Sequence, residues 1–168
     1  MKHYLLKNAD GSVQIMTLVP QEDEFLVMSD GTITKEVRRW YSTPEAEIAK
    51  WHPDKQKEHQ VQSWREIKPA HVPKDRTFRD AWCDVTQKPT VDIDMTKAKD
   101  IHRNRLRAMR EPKLAALDVE MTRAFADPAK QAAIDAKRQA LRDVTKDPLI
   151  DAAKTPEELI AVIPDALK

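Results

Sequence analysis

The sequence predicts an α+β protein: a small β-hairpin-rich N-terminal module over residues 1–90, followed by a helical C-terminal region over residues 91–168. Both glycines, Gly11 and Gly31, follow an aspartate and stand between apolar, β-branched runs, the composition of tight hairpin turns. All four tryptophans, Trp40, Trp51, Trp64 and Trp82, precede residue 90. Beyond Asp94 the chain has no glycine and is punctuated by Asp-Pro and Thr-Pro pairs, which begin helices.

Residues 2–19, "KHYLLKNADGSVQIMTLV", place two apolar runs around Asn8-Ala9-Asp10-Gly11, which predicts a β-hairpin. Residues 24–37, "EFLVMSDGTITKEV", repeat the pattern around Ser29-Asp30-Gly31 and predict a second. Ser42-Thr43-Pro44-Glu45 offers a capping hydroxyl before a first-turn proline, so a short helix spans about 44–51. The polar stretch 52–60, "HPDKQKEHQ", reads as an exposed loop, and 61–67, "VQSWREI", alternates as an edge strand does. Pro69, Pro73 and Pro89 punctuate the next segment, which reads as an extended or single-turn connection between the halves.

A helix capped by Asp94 or Thr96 runs to about Phe125, with Leu106, Met109, Leu114, Leu117, Met121 and Phe125 as its apolar seam. Pro112 predicts a kink or break in it. Asp127-Pro128 starts a second helix ending near Val144, with Ile134, Leu141 and Val144 on one face and four alanines keeping it slim enough to pair closely. Asp147-Pro148 and Thr155-Pro156-Glu157-Glu158 start two short terminal helices, the latter with the Glu that a capping box requires. There is no internal repeat, and the spacing is too irregular for a sustained heptad coiled coil.

Composition narrows the function classes. With 40% hydrophobic and 34% charged residues and a net charge of +1, the chain has the apolar content to fold and lacks the cationic excess of a nonspecific nucleic-acid binder. The single cysteine, Cys83, suits a reducing compartment, and no apolar run suggests a signal peptide or membrane span, so the expected location is the cytosol. His52 and His59 with Asp54 and Glu58, and Cys83 with His71, match no compact metal-ligand spacing, and no metal or cofactor is expected. The serines sit at turns, caps or strand positions and there is no G-x-S-x-G, so no enzymatic activity is expected. Asp92 and Asp94 read as helix-capping acids. Residues 97–110, "KAKDIHRNRLRAMR", are the strongest basic cluster. They form either a solvated face, a face of salt bridges between copies in a homo-oligomer, or a nucleic-acid contact through Arg103 and Arg107.

"LAALDVEMTRAF" (Leu114 to Phe125) followed by "AKRQALRD" (Ala136 to Asp143) resembles the bacteriophage tail-fibre assembly proteins, also described as phage tail assembly chaperones. The resemblance covers about residues 101–164, with Val119 where the family usually places an aromatic after the Leu-Asp pair. "DRTFRDAW" (Asp75 to Trp82) and "DGSVQIM" (Asp10 to Met16) are similar to small phage and prophage proteins. The resemblance implies a non-enzymatic protein of the host cytoplasm that binds a phage tail or tail-fibre protein. It implies Arg138, Leu141 and Arg142 as contact residues, or else Leu141 in the core beside two solvated arginines. Arg76, Phe78 and Trp82, with Arg79, are either a short docking motif or packing that joins the halves. A virion structural component retained in the particle is the alternative role, and a nucleic-acid-binding accessory protein a further one.

Overall fold

The computed structural model describes residues 1–29, 32–85 and 88–168. The fold is α+β, with N-terminal antiparallel strands followed by a helical C-terminal region. Two compact units make it up: Met1–Thr77 with Trp82–Asp92, and Phe78–Ala81 with Ile93–Lys168.

In the first unit the chain runs β1 (Lys2–Asn8), β2 (Val13–Leu18), β3 (Gln21–Ser29), β4 (Thr32–Trp40), α1 (Pro44–Ala49), α2 (Pro53–His59), β5 (Val61–Ile67) and β6 (Trp82–Cys83). The first hairpin forms where the Asp-Gly pair predicts it. Gly11 has φ +79°, which a side chain would disfavour, and the Asp10 carboxylate accepts from the Ser12 amide and hydroxyl at 2.9 and 2.6 Å. β5 then pairs antiparallel with the other edge of β1, giving the order β2-β1-β5. β1 is therefore a central strand, buried at Tyr4, Leu5 and Leu6, and reads in the sequence as an apolar run and not as an alternation. One face of the sheet buries Tyr4, Leu6 and Leu18 against Met16, Ile48, Trp51 and Val61, so α1 and its C-terminal Trp51 cover it. Arg65 of β5 holds the buried Asp84 carboxylate through two hydrogen bonds of 3.1 and 3.0 Å.

Residues 53–59 correct the expected loop: they form a helix with no buried residue, as the polar composition requires. It is closed locally, without an apolar stripe. His52 caps it, Pro53 presets its first turn, Gln60 ends it in the left-handed region at φ 40°, and the Gln56 amide donates to the carbonyls of Ile48, Ala49 and Trp51. Lys55 lies over the Trp51 ring at 4.1 Å.

The second hairpin is longer than predicted, with nine residues in each of β3 and β4, paired in unbroken register from Gln21↔Trp40 to Ser29↔Thr32. Its expected Asp30-Gly31 turn lies outside the described residues.

In the second unit α3 (Met95–Arg123) is followed by α4 (Pro128–Asp143), α5 (Pro148–Ala152) and α6 (Pro156–Ala161). Asp94 caps α3, accepting from the amides of Thr96 and Lys97. The expected break is absent: α3 runs 29 residues through Pro112 without interruption. Proline removes one hydrogen bond to the carbonyl four residues back, and both Pro112 and Ala108 are exposed residues, so the loss falls on the solvent side of the helix. Phe125 leaves the expected seam: it is 85% exposed at the turn after α3, and Met109 is also exposed. The core instead joins Leu106 and Leu117 of α3 to Ile134 and Leu141 of α4, Val144, Ile150, Leu159 and Leu167, with Phe78 and Ala81 completing it. Every predicted cap of the later helices is present, including the reciprocal capping box of Thr155 and Glu158.

Candidate protein-interaction surfaces

The residues that carry the family resemblance are tied into the helical hairpin itself. Leu117 and Leu141 are both buried in its core, and Arg138 of α4 reaches Asp118 of α3 at 2.8 Å while also pairing with Asp135. The Leu-Asp pair and the Lys-Arg-Gln-x-Leu-Arg-Asp segment thus clasp one another. Leu141 is buried in the core, since its spacing with Ile134 puts it on the face turned to α3. Its edge forms the floor of a shallow groove with Ala116, Leu117 and Ala140, flanked by Lys113 and Lys137. Arg142 is exposed, and its carbonyl accepts from Arg110 at 3.1 Å.

Of the proposed docking motif, Phe78 and Trp82 are buried at 3% and 4% exposure, so packing accounts for them; Arg76 is exposed. Phe78 belongs to the helical core and Trp82 to the strand β6.

The basic cluster of α3 is largely engaged within its own unit. Arg103 pairs with Asp151 at 2.6 Å and Asp100 at 3.3 Å, Lys99 donates to the Asp151 carbonyl, and Arg107 donates to Asn104. The two carboxylates beside Arg103 hold its guanidinium even more firmly protonated than usual. His102, 2% exposed, donates from Nε2 to the Val162 carbonyl at 3.0 Å; burial pushes its pKa down, and the nearby Arg105 adds to that. These contacts link the start of α3 to the segments around α5 and α6, which is structural work.

The β3–β4 ribbon is different. Among the described residues no third strand joins either edge, and every described side chain on it is exposed. One face, in register order, carries Glu22, Glu24, Leu26 and Met28 on β3 opposite Arg39, Val37, Lys35 and Ile33 on β4. Leu26, Met28, Ile33 and Val37 are 71%, 74%, 59% and 49% exposed. Ion pairs at the base join Glu22 to Arg39 and Glu24 to Lys35, both at 2.6 Å, and the Trp40 indole donates to Asp23 at 2.9 Å. The sequence pattern locates this hairpin without marking it as a site, because alternation looks the same whether a face is covered or bare. The signal available was the absence of a third apolar run of matching length to pair with it.

Among the described residues no group of three or more His, Cys, Asp or Glu side chains is placed to hold a metal ion. Cys83 is buried, and Ser12 is engaged in the first hairpin turn. Among the described residues no helix is long and apolar enough to cross a membrane. No protein-family model, no curated protein and no solved structure matches the chain.

Proposed function

We propose that the protein is a non-enzymatic assembly protein of a bacteriophage tail or tail fibre, acting in the host cytoplasm by binding another phage protein. One observation carries the binding: the β3–β4 ribbon holds four large apolar side chains in water on a two-stranded sheet. A lone two-stranded hairpin is marginally stable, and a row of exposed apolar side chains on one is characteristic of a surface that another chain covers. The phage setting rests on the resemblance across residues 101–164 alone, and the residues of that resemblance serve the helical hairpin, so the ribbon is the better candidate contact.

Quantitative mass spectrometry of purified particles beside the infected-cell lysate tests the role. The expected result is abundance in the lysate and absence from particles; a fixed copy number in particles would overturn the assembly role in favour of a structural one. Replacing Leu26, Met28 and Ile33 together by Ser is expected to abolish co-purification of the phage partner while leaving the helical unit folded.

A further inference from the structure

The two strands of the exposed ribbon are charged in opposite senses. β3 carries Glu22, Asp23 and Glu24 and no base; β4 carries Lys35, Arg38 and Arg39 against the single acid Glu36. Each strand has one neighbour among the described residues, so each presents an outer edge of unpaired backbone groups, one acidic and one basic. Edges of this length and regularity are templates for strand addition, and natural edge strands are blunted by proline, by a bulge or by charged side chains, lysine above all. Here the strands contain no proline and the register is unbroken over all nine pairs, so only the charges guard the edges, and a charged edge stays open to a strand of opposite charge.

We infer that the occupant of these edges is a second copy of this chain, the acidic β3 edge of one copy pairing antiparallel with the basic β4 edge of the next, head to tail. The inference rests on the reading of the ribbon as an interaction element and assigns its edges, leaving the apolar face for the other partner. The register that joins the strands within one chain, repeated between copies, sets Glu22 across from Arg39 of the neighbour and Met28 across from its Ile33. Glu22 and Asp23 then each lie between two bases, their own and the neighbour's, Glu24 has Lys35 on the diagonal, and Met28 and Ile33 form a continuous apolar row. Two-fold pairing of like edges does worse: β4 laid antiparallel on itself about Val37 pairs Glu36 with Arg38 but sets Lys35 against Arg39, and it leaves the acidic β3 edge open. Laid antiparallel on itself, β3 sets its acids against the same acids, or against Leu26 and Met28, depending on register. Charge complementarity therefore selects the heterologous contact, which closes into a ring of three or more copies or continues as a filament.

The test uses the full chain and a charge-exchanged variant, Glu22→Lys, Glu24→Lys, Lys35→Glu and Arg39→Glu together, which preserves both ion pairs within the ribbon while inverting both edges. Light scattering coupled to size exclusion is expected to give three or more copies for the wild type, and salt near 0.5 M should weaken the assembly on the order of tenfold. The variant is expected to assemble with itself as the wild type does. Native mass spectrometry of a mixture should then show no mixed particles, because like edges would meet. A wild-type protein that remains a single copy at every accessible concentration overturns the inference without recourse to the variant. Statistical mixing of the two chains overturns the charge-directed pairing, and a strict dimer overturns the head-to-tail geometry. None of these outcomes affects partner capture by the apolar face, which the particle and lysate measurement reads separately.

Discussion

The two hairpins of the N-terminal module begin from the same kind of sequence and end in opposite situations. Each is two apolar runs around an Asp-Gly pair. The first gains a third strand, β5, and a helical cover in α1 on the face of Leu6, which falls to 1% exposure. The second gains neither, and Leu26 and Met28 stand more than 70% exposed. Local sequence sets the strand and the turn, whereas what a face is used for depends on what the rest of the chain lays over it. That contrast between a covered and a bare hairpin is what the proposed partner binding rests on.

The largest expected effect is on the covered side. Leu6→Ala should destabilise the first unit by about 2–5 kcal/mol, since it empties a fully enclosed site. Leu26→Ala on the ribbon should leave single-chain stability within about 0.5 kcal/mol. Urea unfolding followed by tryptophan fluorescence, with three of the four tryptophans in or beside the first sheet and its helices, checks both. Similar losses at the two leucines would mean that the ribbon is covered within the chain. Next, Asp84→Ala should cost about 1.5–3 kcal/mol, because it removes two charge-assisted hydrogen bonds from Arg65 at a largely buried position.

Much of this architecture was legible because its signals are local. Asp-Gly fixes a turn, Thr155 with Pro156 and Glu158 fixes a helix start, and the spacing of Ile134 and Leu141 fixes the face of α4. The helix at 53–59 was not legible, since polar residues without periodicity read as a loop; the Gln56 amide that caps three carbonyls of the preceding turn is a tertiary fact. Continuity through Pro112 was missed because the penalty of a helical proline depends on whether the freed carbonyl faces water. The candidate site fared worse. Leu141, Phe78 and Trp82 were conspicuous as apolar residues among arginines, and burial explains them, while the arginines Arg103 and Arg138 were conspicuous as charges and find carboxylates in their own unit. Composition shows which residues are unusual; only the fold shows which remain unspent.

The helical unit, where charges are engaged and the apolar seam is covered, should also respond to acid. Burial holds the pKa of His102 below the usual 6.5 in the folded chain, while in the unfolded chain it titrates normally. Stability from this group is therefore complete above about pH 6.5 and declines as the pH falls toward the folded value, by at most about 1.4 kcal/mol per pH unit. Thermal unfolding of wild type and His102→Leu across this range should show the variant with a flatter profile. Within the same unit Thr155→Ala should cost about 1 kcal/mol by deleting the capping box.

The smallest stability effect belongs to the ribbon's own charges, and it is the one that separates the two hairpins most sharply. The Glu22–Arg39 pair is short at 2.6 Å, yet its side chains are 48% and 71% exposed, and exposed pairs of this kind are worth about 0.2–1 kcal/mol at most. Arg39→Ala should thus leave the unfolding midpoint of a single chain almost unchanged. Its effect on assembly should be larger, because at a strand edge the same guanidinium faces a second carboxylate as well as its own, and removing it affects contacts at both neighbours. A variant that unfolds like the wild type but assembles on the order of tenfold more weakly would locate the function of this charge between molecules. A loss of stability as large as that at Asp84 would place it within the fold instead, and the contrast between a covered and a bare hairpin would fail at its charged end.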